Sequence, residues 1–314
     1  MKNILIVSPH HFPEETLTDF KNMANVKSAV FTHEELSREI EQYDAVLTRT
    51  DVKFDKEILS KAKKLRVIGS ATTGLNHIDV DYANSKGIKI ISLQGTHTIP
   101  TAECTFSLML ALAKKIPWAH DSLKSGVWER HKFFNTELQG KTLGIIGFGR
   151  IGSRIAQYSK AFGMKVMTYD PYVNVDLAKQ LEVKVTTLDD VLQNSDIITV
   201  HAFLSPETTR MINSNAFSKM KNTVFLINAA RGEIIDEDAL IDALESKKIA
   251  GAALDVFQEE PLPNSSRLVE YAKNNDNLII TPHISASSKE SIFVSAKEIV
   301  EKVKEFLNKS EDVM

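Results

Sequence analysis

A single cysteine, Cys104, is the whole thiol complement of these 314 residues. It excludes an internal disulfide and fits a reducing compartment, so a cytoplasmic chain is expected. No sign of charge dominates: 38 Lys and Arg stand against 41 Asp and Glu, a formal net charge of -3. Without a basic excess nothing points to nucleic acid, and no long like-charge block suggests a solvated tail. Long apolar runs are missing as well. None approaches the roughly 18 residues of a membrane helix, so no membrane partner is expected. The apolar run in MKNILIVSPHH is too short for a signal-peptide core and reads as a first strand. No metal site is expected either, because adjacent His10 and His11 read as loop residues.

What is present is alternation. NILIV, SAVF, AVLT, LRVIGS and IKIISL are short, β-branched-rich runs, with helix-like stretches such as Glu34–Gln42 and Asp55–Lys64 between them. That pattern argues βαβ units and a parallel sheet. Thr101 then reads as the N-cap of a long helix over Ala102–Lys115. Residues 114–140 lack a clean period and read as an excursion over the surface or onto a partner. Alternation resumes with TLGIIGF, KVMTYD, DIITVHA, TVFLINAA, IAGAALDVF and NLIITPHI, and a helix near Ser287–Leu307 closes the chain. The expected fold is α/β, with two Rossmann/flavodoxin-like domains built on parallel sheets. The nucleotide-binding domain (99–284) is expected to be inserted in a substrate-binding domain (1–98 plus 285–314).

The stretch GIIGFGRIG carries three glycines where a strand should turn into a helix. Gly147 would allow the tight turn, Gly149 would let a pyrophosphate approach the backbone, and Gly152 would let helix and sheet pack closely. The helix start, with free N–H groups and the positive end of its dipole, suits phosphate charge. Asp170 ends the next strand, 18 residues past Gly152. A carboxylate there can accept from ribose hydroxyls and repels a 2′-phosphate. The glycine motif alone fits NAD and FAD equally.

Other strand ends converge on the same edge. His201 follows DIITV, Arg231 follows TVFLINAA, Glu259 and Glu260 follow AALDVF with Asp255 inside that strand, and His283 follows NLIITP. Arginine offers a planar fork for a carboxylate. Histidine can give and take a proton, and a neighbouring carboxylate can orient it. Together with a nicotinamide, these types suit interconversion of an alcohol and a ketone beside a carboxylate.

LGIIGFGRIG with YDP, INAARGEIIDEDAL, GAALDVFQEEPLP and TPHIS occur in an order and spacing that resemble the D-isomer-specific 2-hydroxyacid dehydrogenases, D-3-phosphoglycerate dehydrogenase-like members included. The resemblance covers essentially the whole chain. It implies NAD as cofactor, with Arg231, Glu260 and His283 as the catalytic set. Arg231 would hold the substrate, His283 would be the acid/base, and Glu260 would be its carboxylate partner. It assigns Gly147, Gly149, Arg150, Ile151, Gly152, Asp170, Thr101, His201, Ala229 and Asp255 to the cofactor, with Asp255 at the nicotinamide amide. Thr73 and Gly74 in ATTGLNHID would grip the substrate carboxylate through backbone N–H groups. Arg49 reads either as a further substrate contact or as a solvated surface residue. A homodimer built partly from the excursion after Lys114 is also implied. His97 stands where relatives usually carry Asn, Phe203 where Pro is common, and Ser285 where Gly is usual. The reaction implied is hydride transfer between nicotinamide and a small D-2-hydroxy acid or 2-keto acid. A phosphorylated hydroxy acid, or a non-enzymatic NAD-sensing corepressor role, are the alternatives.

Overall fold

A computed structural model describes residues 1–309 and divides them into two compact units. One comprises Met1–His97 with the described residues from Ser287 onward; the other is Thr98–Ala286. Residues 310–314 of the expected substrate domain lie outside the described residues.

The first unit holds a five-stranded sheet of β1 (Lys2–Ile6), β2 (Ala24–Ser28), β3 (Ala45–Thr48), β4 (Val67–Ser70) and β5 (Lys89–Ser92). Its order is β2-β1-β3-β4-β5, and every pairing is parallel. β3 and β4 are buried along their whole length, which is why they read as continuous apolar runs. Helix starts are fixed locally. Thr32 and Glu35 form a reciprocal capping box, and Asp55 caps the helix Lys56–Lys61. The helix Lys289–Lys309 lays Ala296, Ile299, Val300 and Val303 against this sheet.

The second unit holds seven parallel strands: β6 (Thr142–Ile146), β7 (Lys165–Tyr169), β8 (Lys184–Val185), β9 (Ile197–Val200), β10 (Phe225–Asn228), β11 (Gly251–Leu254) and β12 (Leu278–Ile280). The order β12-β11-β10-β9-β6-β7-β8 reverses direction between β6 and β9. In such sheets the crevice beyond the carboxyl ends at this switch is where ligands bind. The helix Thr98–Lys114 packs on β10 and β11, with Ala102, Met109 and Leu112 in one core cluster with Ile227 and Ala253.

Several expectations need correction. The second strand is Ala24–Ser28 rather than SAVF; Val30 within SAVF is 65% exposed. Thr101 is no N-cap. The long helix begins at Thr98, Pro100 sits in its first turn where a missing N–H costs nothing, and Thr101 is buried inside it. The excursion is not wholly irregular, since Ile116–Lys124 is helical with no buried residue. The second sheet has one strand more than the six expected, because β8 is two exposed residues long. Asp255 follows β11 instead of lying inside it.

Candidate active site

The glycine loop joins β6 to the helix Arg150–Ala161. Gly147 has φ +95, and a side chain there would meet the His201 carbonyl carbon at 2.5 Å. A Cβ on Gly152 would lie 2.2 Å from the Gly147 carbonyl oxygen. A Cβ on Gly149 would meet nothing within 4 Å, so open space faces this backbone. Arg150 and Ile151 form the first turn of the helix, whose N–H groups have no intrahelical acceptor. A tight turn, a close packing point and an open face at a helix start are what a pyrophosphate needs. The residues present fit a dinucleotide.

Asp170, half-buried just after β7, shapes the same loop. Its carboxylate accepts from the Phe148 N–H and the Tyr172 N–H, each at 2.7 Å. His201 follows β9. Burial pushes its imidazole down to about 3, so it stays neutral and is no acid/base candidate. Its Nε2 pairs with the Thr199 hydroxyl at 2.8 Å, and its buried Nδ1 has no partner. An orphaned polar atom beside the glycine loop is a second observation that fits a bound cofactor.

Arg231, Glu260 and His283 come from the ends of β10, β11 and β12. Asn228, only 1% exposed, ties the first turn by accepting from the Ala230 N–H and donating to the Arg231 carbonyl. Arg231 Nη1 donates to the Ala230 carbonyl at 2.6 Å. The next residue, Gly232, packs so tightly on the Phe257 backbone that a Cβ would stand 1.9 Å from its carbonyl carbon. The Arg231 turn is therefore pressed against the loop that carries Glu260. Glu260 Oε1 accepts from the Phe257 N–H at 3.0 Å, and Oε2 lies 2.6 Å from His283 Nδ1. A carboxylate only accepts, so Nδ1 carries the proton and Nε2 is left for exchange with a substrate. Burial alone would raise the Glu260 carboxyl. The His283 hydrogen bond and charge, the Phe257 N–H and Arg231 outweigh it and hold the group below its ordinary range. Ala229 follows β10 and is 6% exposed.

Thr73, Gly74 and Arg49 belong to the first unit. Thr73 is exposed and Gly74 half-buried, on a loop fixed by Ser70, Thr72 and His77. The Ser70 and Thr72 hydroxyls lie 2.7 Å apart, Ser70 reaches His77 Nε2 at 3.1 Å, and Thr72 donates to the Gly74 carbonyl at 2.7 Å. Arg49 is not a solvated surface residue, being 8% exposed. Its Nη1 donates to His11 Nδ1 and Ser287 Oγ, both at 3.0 Å. Burial, then the Arg49 charge, push His11 down to about 4, which keeps it an acceptor. His97, also lowered chiefly by burial, donates Nε2–H to the Ala71 carbonyl and accepts the Ser291 hydroxyl on Nδ1. Sequence reasoning missed Asn228, Ser70 and His11. Asn228 was open to it, as an Asx residue ending a strand before a turn.

The sheet order, glycine loop and strand-end acid, base and cation define an α/β unit of the dinucleotide-binding class with an acid–base pair at its ligand edge. Residues 106–285 match the family model described as D-isomer specific 2-hydroxyacid dehydrogenase, NAD binding domain. The chain belongs to that family, and its second unit is the family's NAD-binding domain. It is 45% identical over 260 residues to D-3-phosphoglycerate dehydrogenase of Archaeoglobus fulgidus, covering 83% of this chain and 49% of that one. With the enzyme of the same name from Methanocaldococcus jannaschii it is 40% identical, covering 98% of this chain and 58% of that one. The chain thus spans about half the length of these curated relatives. Among solved structures, D-lactate dehydrogenase from Aquifex aeolicus, complexed with NAD and lactic acid, superposes with a TM-score of 0.87. It shares 32% identity and is covered to 96%, against 99% of this chain. Among the described residues no cluster of His, Cys, Asp or Glu could hold a metal, and no helix is long and apolar enough to cross a membrane.

Proposed function

We propose that the chain is an NAD-dependent oxidoreductase that interconverts a small D-2-hydroxy acid and its 2-keto acid. The observation that carries the reading is the His283–Glu260 pair at 2.6 Å, on the loop against which the Arg231 turn is pressed. Arg231 offers its fork to the substrate carboxylate, aided by the Thr73 and Gly74 N–H groups. The His283 imidazolium gives its Nε2 proton to the carbonyl oxygen during reduction and recovers it during oxidation. Glu260 holds the ring and balances its charge. The nicotinamide, when bound, supplies or accepts the hydride. Thr101, Arg150, Ile151, His201 and Ala229 belong to its binding surface in this proposal. Proton and hydride together convert C=O to CH–OH, so the reaction closes.

A second reading, a phosphorylated or otherwise anionic substrate, is favoured by one observation. The buried Arg49 guanidinium makes its hydrogen bonds to the neutral partners His11 and Ser287, while Asp51 acts on it through charge without a hydrogen bond. The relatives named for phosphoglycerate point the same way. A homodimer is supported by Ile116, Leu123, Trp128 and Phe134, apolar side chains 56–81% exposed on and after the helix Ile116–Lys124. The lone cysteine supports a cytoplasmic location. The test is NADH oxidation against 2-keto acids with and without a phosphate. Turnover of unphosphorylated members supports the first reading, and turnover of phosphorylated members alone the second. NADH binding without any turnover would favour the sensing role.

A further inference from the structure

Three donors around His283 converge on one buried carboxylate. Asp255 follows β11 and is 0% exposed. Its Oδ1 accepts from the Thr281 hydroxyl at 2.5 Å and the Ile284 N–H at 2.9 Å. Its Oδ2 accepts from the Ser285 N–H at 2.7 Å. These donors bracket His283, which has φ +51. That left-handed conformation costs a non-glycine residue roughly 1–2 kcal/mol. Such backbone persists only where its surroundings over-determine it, and here the surroundings are Asp255. The His283 N–H turns back to the Thr281 carbonyl at 2.9 Å, closing the same tight bend. The ring itself is one-third exposed and reaches Glu260 from this backbone.

We propose that Asp255 is a positioning residue for the acid–base step, clamping residues 281–285 so that the His283 ring meets Glu260. The inference rests on the proposed function. It gives the carboxylate a task on the protein's own backbone, beside the nicotinamide contact that the family resemblance implies for it. Glu260 is the charged group facing the His283 ring, Arg231 acts on Glu260, and Asp255 faces the backbone beneath.

Asp255→Asn sets an amide NH₂ against a backbone N–H of the bend, while Thr281→Val removes one donor and keeps the shape. In keto-acid reduction, kcat should fall about 10- to 100-fold in Asp255→Asn and about threefold or more in Thr281→Val, part of the factor an acid group supplies. In Thr281→Val the keto-acid KM and the NADH Kd should stay within about threefold, because no residue assigned to substrate or cofactor is changed. The pH above which reduction fails should move down in both, in the direction set by Glu260→Gln. Parent-like kcat and pH profile in Thr281→Val would overturn the proposal. So would weakened NADH binding with an unchanged profile, which would return Asp255 to the cofactor. If Asp255→Asn does not fold, Thr281→Val decides. The His283 ring proton resonance, identified by its loss in His283→Ala, gives a readout without turnover. At one fixed pH it should move in Thr281→Val as the ring leaves its place beside Glu260, and an unmoved resonance refutes the clamp. An inactive parent would sink the oxidoreductase reading and leave this comparison to judge Asp255.

Discussion

Asp170 should make the chain prefer NADH to NADPH, and the size of the preference follows from its surroundings. A ribose 2′-phosphate carries about -1.5 to -2 charges near neutral pH. Two unit charges about 4 Å apart interact by about 1 kcal/mol in water and about 4 kcal/mol at an effective dielectric of 20. Asp170 is half-buried at a loop, so the water-like end applies. The repulsion then comes to roughly 1.5–2 kcal/mol, or about ten- to thirtyfold in kcat/KM. No arginine follows within Asp-Pro-Tyr to offset it. The perturbation is Asp170→Asn, which removes the charge but keeps an oxygen for one of the two N–H groups it now receives. The other loses its acceptor, at a cost of about 1–3 kcal/mol in stability if it is the buried Phe148 and little if it is the exposed Tyr172, whose N–H turns to water. Phe148 lies in the glycine loop, so any loss there weakens both cofactors alike. The ratio of kcat/KM for NADH and NADPH at one keto acid cancels that shared loss. It should favour NADH at least about tenfold in the parent and collapse toward unity in Asp170→Asn. Equal use of both by the parent, or an unmoved ratio in the variant, refutes the reasoning.

Glu260→Gln should leave NADH binding intact while reduction fails at a lower pH than in the parent, since an amide cannot balance an imidazolium; an unchanged upper limit would count against the pair. On the acid side the sign is opposite. The Glu260 carboxyl is held low, so pairing is present above the ordinary carboxylate range of about 4.3 and is lost only as pH falls through a value below it. Loss of parent activity already at neutral pH, with the fold intact, would contradict that window. Arg231→Lys should cost keto-acid kcat/KM about 10²-fold or more, because a fork becomes a point charge and the substrate loses its single pose. Near-normal turnover would remove Arg231 from the substrate.

The parallel sheets were legible because their strands are buried on both faces and rich in branched residues, Ile197–Val200 and Phe225–Asn228 above all. The edges were not. β2 carries Asn25 and Lys27 toward solvent, and β8 is too short to show a period. The start of the helix at Thr98 was obscured by Pro100, a breaker inside a helix but harmless in its first turn. For the site, residue type and position after a strand pointed to Arg231, Glu260 and His283. Neither pointed to what fixes them. The donors to Asp255 lie 26 to 30 residues away, and the partners of Arg49 include Ser287, 238 residues distant. Contacts of that separation leave no local pattern, so the sequence leaves Arg49 between two readings that its burial separates.

The most direct test of the acid–base assignment is NADH oxidation by the parent and by His283→Ala with the best keto acid of the panel. The variant should fold and bind NADH like the parent, yet lose about 10²- to 10⁴-fold in kcat, the factor a positioned general acid supplies. Parent-like turnover in His283→Ala, or its collapse in His201→Ala at full NADH saturation instead, would contradict it.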